Sequence, residues 1–86
     1  MAKYEITFAR SARRELEDLE SKIVSRIFGK IESLQYEPRP RGCKKLVGEK
    51  NLWRIKAGDY RVLYSIDDED GLVDIIAVRH RRDVYR

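Results

Sequence analysis

Residues 51–64 read NLWRIKAGDYRVLY and contain two alternating segments joined by a short turn. Successive side chains of a β-strand point to opposite faces of the sheet, so the alternation assigns each residue to a face. The apolar face receives Trp53, Ile55, Tyr60, Val62 and Tyr64. The opposite face receives Arg54, Lys56 and Arg61. The intervening AGD supplies turn residues, so the stretch predicts an antiparallel hairpin with one basic face.

The first third of the chain predicts one strand and two amphipathic helices. KYEITFA, at 3–9, alternates as a short strand does, and the spacing of Ala12, Leu16 and Leu19 predicts a helix over 9–19. Ser21 is the expected N-cap of a second helix, which ends near Tyr36 because Pro38 disfavours helical geometry before it. The expected apolar stripe of that helix consists of Val24, Ile27, Phe28, Ile31 and Leu34.

The remaining segments complete a sheet. Residues 37–50 contain both prolines and two glycines and are expected to form a connector, with a short strand at 45–47. A further strand is expected over 72–80, after the acidic turn DDEDG at 67–71. The order β-α-α-β-β-β predicts an α+β fold in which the helical hairpin packs on one face of an antiparallel sheet of about four strands. The basic face of the hairpin is then the face left open to solvent.

Composition restricts the class of protein. A chain of 86 residues has apolar area for one core, so residues 1–86 are expected to form a single domain. Cys43 is the only cysteine, which excludes an internal disulfide, and no metal-ligand cluster is seen. The longest apolar run is IIAV at 75–78, far short of the ~20 residues that span a bilayer. We therefore expect a cytoplasmic protein with no membrane association and no cofactor.

Positive charge is concentrated in the second half of the chain. The net charge is +4, yet residues 39–50 hold five basic residues against one acidic residue, and residues 79–86 hold four against one. Clustered cations bind phosphate groups and release the condensed counterions, so nucleic acid is the first partner to consider. Single surface cations are usually solvated without a function, and only their grouping on one face argues for binding.

A basic face can cleave RNA by using the substrate's own 2′-hydroxyl. The hydroxyl must lose its proton, the pentacoordinate phosphorane must be neutralised, and the leaving 5′-oxygen must be protonated. Arginine neutralises phosphoryl charge but is a poor base, whereas neighbouring cations favour the neutral, basic form of a lysine. Lys56, between Arg54 and Arg61, is therefore the candidate base. No metal is required by this scheme, and the sequence has no Gly-rich phosphate loop or Ser/His/Asp set.

Two residues near the C-terminus allow both a structural and a functional interpretation. Tyr85 could cover the edge of the sheet, or it could stack on an unpaired base beside the arginines. His80 is the single histidine, and such a residue is more often a surface residue than a catalyst, although here it lies among arginines. Both are retained as candidates, with His80 in an auxiliary role.

The helical hairpin, LWRIKAGDYRVLYSI at 52–66 and VRHRRDVY at 78–85 together resemble the RelE toxins of the RelE/ParE superfamily over essentially the whole chain. This resemblance implies a ribosome-dependent mRNA endonuclease, or mRNA interferase, that cuts the codon in the A site and inhibits translation. It also implies Lys56 as base, Arg61 and Arg81 as stabilisers of the transition state or acid, and Tyr85 as the stacking residue. Arg54 occupies a position that is lysine in the best-studied form, and His80 could supply an acid. Further RNA contacts are expected from Lys44, Lys45, Arg79 and Arg82.

The resemblance also implies partners. They are a RelB-like acidic antitoxin that wraps the toxin, the ribosome with its 16S ribosomal RNA and mRNA, and operator DNA only through the antitoxin. The C-terminal helix that some members carry after the tyrosine is expected to be missing, since the sequence stops at Arg86.

Two other functions fit the same scaffold. A ParE-like toxin would inhibit DNA gyrase and cut no RNA, because a shared fold does not decide function. ParE proteins generally lack the full set of basic residues and tyrosine, which favours the nuclease. The third function is an inactive domain that binds only RNA or a partner, with binding that weakens steeply as salt rises.

Overall fold

The computed structural model describes residues 3–48 and 51–84 and confirms the α+β class. Its helices and strands follow the predicted order, with one additional helical turn at the C-terminus. Their bounds are β1 Glu5–Phe8, α1 Arg10–Glu17, α2 Ser21–Ser33, β2 Lys44–Lys45, β3 Leu52–Ala57, β4 Tyr60–Asp67, β5 Leu72–His80 and α3 Arg81–Val84. The single turn of α3 was not predicted from the sequence, and it precedes Tyr85, so the expected absence of a helix after that tyrosine lies outside the described residues.

The five strands form one sheet in the order β1-β5-β4-β3-β2. The pairs β2–β3, β3–β4 and β4–β5 are antiparallel, as expected for strands joined by short connections. β1 adds a parallel edge beside β5, with Glu5 opposite Leu72 and Phe8 opposite Ile75. The sheet is therefore mixed and has five strands rather than about four, and its fifth strand, β2, contains only two residues.

The core lies between the two long helices and one face of the sheet. Ile27, Ile31 and Leu34 are almost fully buried against the strands, with Val62 and Tyr64 among the residues they cover. The Tyr64 hydroxyl donates a hydrogen bond of 2.8 Å to the Pro38 carbonyl, which satisfies this buried polar group. The predicted apolar face of β3 and β4 is thereby confirmed as the face under the helices.

Two details of α2 differ from the prediction. Ser21 is the first residue of the helix rather than its N-cap, which is Glu20, and the cap makes no side-chain hydrogen bond. Ile23, rather than Val24, packs against the core, while Phe28 is 36% exposed and contacts the Phe8 ring at a centroid distance of 5.7 Å. The stripe is therefore rotated toward Ile23, which lies beside Ala57 and Tyr60 at the β3–β4 turn.

A β-bulge in β5 changes which residues face the helices. Leu63 pairs with Ala77 and Tyr64 pairs with Ile75, so Ile76 is an extra residue in the strand. Val73 and Ile75 precede the bulge on the helix face, and Arg79 follows it on the open face. Without the extra residue, strict alternation would place Arg79 under the helices.

The start of α1 satisfies the edge of β5 beyond the end of β1. The Ser11 hydroxyl donates a hydrogen bond to the Ile76 carbonyl (2.7 Å), and the Val78 amide donates one to the Glu15 carboxylate (2.9 Å). Side chains of α1 thus replace the missing strand partners at this edge. None of the helices among residues 3–48 and 51–84 has the length and apolar character needed to cross a bilayer.

Candidate active site

Three cations stand side by side across the three central strands. Arg61 on β4 lies directly opposite Lys56 on β3 and directly opposite Arg79 on β5. Directly opposed residues share a face, so all three lie on the face opposite α2, at strand spacings of ~4.8 Å, and α1 runs along the β5 edge beside Arg79. We call Lys56, Arg61 and Arg79 the cation row.

Arg61 is the buried member of the cation row. It is only 5% exposed, and it is the one polar or charged residue classed as buried within the described part of the chain. Its Nε has no hydrogen-bond partner among residues 3–48 and 51–84, and its terminal nitrogen makes one long contact of 3.4 Å with the Tyr60 carbonyl. The sequence predicted Arg61 on the correct face but exposed to solvent. It is buried because its strand is central and long side chains flank it on both sides.

Burial of the Arg61 guanidinium between two other cations lowers the stability of the fold unless an anion binds there. A buried ion without a counter-ion pays a desolvation penalty, and like charges opposite each other repel. Lys56 remains exposed and forms no salt bridge within the described residues. Arg79 has one partner, because its Nε lies 3.3 Å from the Glu15 carboxylate. The cation row therefore keeps a net positive charge next to a buried, unsatisfied guanidinium.

A second pair of cations lies further along the same face. Lys44 on β2 is opposite Arg54 on β3, and Arg54 is in turn opposite Leu63 on β4. Arg54 is two residues from Lys56 on the same strand, a separation of ~7 Å along the face. The basic surface thus extends from the cation row toward the β2 edge, with Leu63 and Ala77 as a small apolar floor between the strands.

Other predicted residues lie elsewhere. His80 is opposite Tyr60 on the parity of the helix face, and its ring packs edge-on against Tyr60 at a centroid distance of 5.3 Å. Its Nδ1 accepts a hydrogen bond from the Arg82 amide at 3.3 Å, which fits a role at the end of the strand. Lys45 is opposite Trp53 on the helix parity, with its Nζ 5.9 Å from the Trp53 ring centroid.

The C-terminal candidates begin where β5 ends. Arg81 is exposed, and its amide donates a hydrogen bond of 2.8 Å to the Asp59 carbonyl in the β3–β4 turn. This bond holds the start of α3 at the end of the sheet where the cation row lies. Arg82 is also exposed. Tyr85, the predicted stacking residue, lies outside the described residues.

Arg79 lies at a position that the sequence did not predict, beside Arg61 on the open face. It was expected to contact RNA only generally, whereas Arg81 was expected to act at the reacting phosphate. The structure places Arg79, not Arg81, opposite Arg61. The bulge at Ile76 is the reason, and an alternating reading of the strand cannot locate a bulge.

A separate polar cluster ties the connector to the β4–β5 turn. Arg39 forms a salt bridge with Asp68 (2.9 Å), and the Tyr4 hydroxyl donates a hydrogen bond to the same carboxylate (2.7 Å). The Arg39 guanidinium, followed by the Tyr4 hydroxyl, lowers the pKa of Asp68. Arg39 also lies 5.1 Å from the Trp53 ring centroid. These cations and acids support the fold and lie away from the cation row.

Residues 3–48 and 51–84 contain no group of three or more His, Cys, Asp or Glu side chains placed to hold a metal ion.

Comparison with known proteins agrees with this geometry. Residues 6–85 match the family model described as ParE toxin of type II toxin-antitoxin system, parDE. The chain is 39% identical to Toxin RelG of Mycobacterium tuberculosis, covering 96% of this chain and 97% of that protein. It also matches the toxin-antitoxin complex RelBE2 of the same organism, with 36% identity, a TM-score of 0.82 and coverage of 94% of both chains. The archaeal RelE-RelB complex from Pyrococcus horikoshii gives 30% identity, a TM-score of 0.80 and coverage of 92% and 96%.

The fold and these matches define the class of protein as the toxin component of a type II toxin–antitoxin system. Within that class, the chain belongs to the RelE/ParE family of toxins.

Proposed function

We propose that this toxin is a ribosome-dependent mRNA endonuclease that cuts mRNA in the A site and thereby inhibits translation. The observation that carries the proposal is the buried Arg61, whose Nε has no partner in the described residues and which lies between Lys56 and Arg79. A site that holds charge at such a cost is preorganised for an anion, and preorganised donors act most strongly on charge that develops in the transition state.

The cation row can supply the groups that cleavage by the 2′-hydroxyl needs. Lys56 is exposed at the rim of the row and accepts the proton of the 2′-hydroxyl as that oxygen attacks the adjacent phosphorus. The phosphorane oxygens gain negative charge, which Arg61 and Arg79 neutralise through their guanidinium groups. The bond to the 5′-oxygen breaks, leaving a 2′,3′-cyclic phosphate, and Arg81, the acid that the resemblance implies, gives a proton to the leaving oxygen while Lys56 keeps the proton of the 2′-hydroxyl. Tyr85 stacks on an RNA base in this scheme, and Arg54 and His80 contact and orient the RNA.

The proposal includes an acidic antitoxin of the RelB type as the partner of this chain. Similar toxins have been solved as RelE-RelB and RelBE complexes. An acidic segment would neutralise the open face that RNA would otherwise occupy, which gives a direct route to inhibition. Operator DNA would then be contacted through the antitoxin, and the ribosome and mRNA would be contacted only by the free toxin.

Inhibition of DNA gyrase is the second candidate function, because the matching family model is described as a ParE toxin. A protein that only binds gyrase has no need for a buried, unpaired arginine between two cations. The cation row therefore favours the nuclease.

Primer extension on mRNA from induced cells separates the two functions. A nuclease produces new 5′ ends within translated codons, and Arg61→Met and Lys56→Met abolish them and restore growth. Arg14→Met, an exposed cation on α1, is the matched control and should leave the cuts and the toxicity unchanged. An SOS response without cuts would instead support gyrase inhibition. Growth arrest by a folded Arg61→Met protein equal to that of the parent would show that the cation row is not the active site.

A further inference from the structure

A cavity of about 180 Å³ lies beside the cation row, at the edge of the sheet. It is formed by the C-terminal half of α2, the turn at 40–42 and the end of β3. Lys30, Arg41 and Lys56 line it, together with Ser33, Gly42 and Ile55. β2 begins at Lys44, opposite Arg54, so from Ile55 onward β3 is paired on one side only, with β4, among the described residues. Its other side lies at this cavity.

The cavity is cationic on three sides. Lys30 comes from α2, Arg41 from the connector and Lys56 from β3, and all three side chains are exposed. None of them forms a salt bridge within the residues that the structure describes, and no Asp or Glu is among the described residues that line the cavity. Three cations from separate elements therefore line one concave space, and none of them has a salt-bridge partner among the described residues.

The backbone keeps the cavity open on the connector side. The Cys43 amide donates a hydrogen bond to the Pro40 carbonyl (3.0 Å), closing a turn in which Gly42 has φ +93°. This φ is strained for any residue with a side chain, and a Cβ at Gly42 would meet nothing within 4 Å. The Ser33 hydroxyl donates its hydrogen bond to the Lys30 carbonyl (2.6 Å), so its proton is already used. The three cations are then the groups in the cavity that bind an anion.

From this geometry we infer that the cavity binds the RNA backbone phosphate next to the scissile one. Lys56 belongs both to the cation row and to the cavity, so a strand whose reacting phosphate sits at Arg61 passes over the free edge of β3 into the cavity. Lys30 and Arg41 then hold the neighbouring phosphodiester and fix the register of the chain on the toxin. The inference rests on the proposed function, since it takes the cation row as the reacting centre.

Binding of an RNA that cannot be cleaved tests this pocket apart from catalysis. The probe is a fluorescent hexanucleotide with 2′-O-methyl groups throughout, measured by anisotropy between 0.05 and 0.2 M salt. For Lys30→Ala/Arg41→Ala we expect about tenfold weaker binding and a salt slope reduced by roughly 0.7, the value for one phosphate of a single strand. Lys22→Ala/Arg14→Ala removes the same two charges from exposed helix positions and is the matched control, with affinity and slope within twofold of the parent.

Each outcome decides one claim. Equal loss of affinity in the two double variants would show a general charge effect and overturn the pocket. Retention of parental affinity by folded Lys30→Ala/Arg41→Ala would overturn it as well. If millimolar inorganic phosphate displaces the RNA from the parent but not from that variant, the result supports a phosphate site. If inorganic phosphate saturates the parent without loss of RNA binding, the result overturns the assignment of the cavity to RNA. If the variant loses binding as expected but the parent makes no cuts in cells, the pocket stands and the proposed function fails.

Discussion

Replacement of Arg61 by methionine should stabilise the protein while it removes the toxicity. Arg61 is 5% exposed, its Nε has no partner in the described residues, and two cations lie directly opposite it. Methionine has a similar length, carries no charge and fills the same space with an apolar chain. The substitution therefore removes the strain of the site without opening a cavity.

The magnitude follows from the contacts that Arg61 makes. Each opposed like-charge pair costs roughly 0.2–1 kcal/mol, and a buried polar group without a partner costs about 1–3 kcal/mol. Lost stem packing and the weak bond to the Tyr60 carbonyl offset part of this gain. We expect the free energy of unfolding to rise by about 1–2 kcal/mol, which raises Tm by roughly 4–16 °C for a domain of this size.

Urea and thermal unfolding of purified parent and Arg61→Met protein measure the effect, with growth after induction as the functional readout. Arg14→Met, which removes an exposed cation on α1 that is not part of the row, should change stability by less than about 0.5 kcal/mol and keep the toxicity. Destabilisation of Arg61→Met by more than 1 kcal/mol would show that the arginine supports the fold and would refute the view that it is held there for an anion.

Three further predictions concern the framework around the site. Arg39 and then Tyr4 lower the pKa of Asp68, so the stability that this carboxylate contributes is present above its unfolded pKa of about 3.9 and is lost as pH falls through the lower folded value. The difference in urea midpoint between the parent and Asp68→Asn should therefore close as the pH is lowered from 6 to 2. A constant difference would contradict the ion pair. Burial is the main cause that raises the pKa of Tyr64, so the contribution of this residue to stability is complete below about pH 10 and is lost above it. Tyr64→Phe should cost about 1–3 kcal/mol at pH 7, because the Pro38 carbonyl loses its donor, and should remove part of the alkaline sensitivity seen in the parent. Gly71→Ala should destabilise the protein by about 1–3 kcal/mol, since Gly71 has φ +65° and a Cβ there would lie 2.9 Å from the Lys3 carbonyl oxygen. Gly29→Ala, in α2 with open space around it, should stabilise the protein by about 0.5–1 kcal/mol. Equal effects of the two substitutions on thermal unfolding would count against this account.

The sequence was sufficient for the elements whose pattern is local. Alternation in residues 52–66 located β3 and β4 within about a residue and separated Arg54, Lys56 and Arg61 from the core residues. The spacing of Ala12 and Leu16 located α1 because both residues repeat on one helical face and are buried. In each case the period of the apolar side chains identifies both the type of element and the face that it buries in the core.

Features that depend on distant contacts were not predictable in this way. The parallel pairing of β1 with β5 joins residues more than 60 positions apart, and no turn signal records it. The bulge at Ile76 depends on pairing with β4 and reverses the face of Arg79. The burial of Arg61 depends on neighbours from two other strands. Those two facts place a buried guanidinium at the centre of the cation row, whereas the sequence indicated only a basic surface.

The central claim is that the cation row cleaves RNA through attack by the 2′-hydroxyl, and a reconstituted ribosome tests it most directly. Ribosomes programmed with an mRNA of defined A-site codon are mixed with the free toxin, and the cleavage rate is compared with that on the same mRNA carrying one 2′-deoxy nucleotide at the cut. We predict a 2′,3′-cyclic phosphate at the new end, no cleavage of the deoxy substrate, and a loss of at least about 10²-fold for Arg61→Met, the scale expected when a transition-state donor is removed. Cleavage of the deoxy substrate at the parental rate, or a fully active Arg61→Met toxin, would contradict the account.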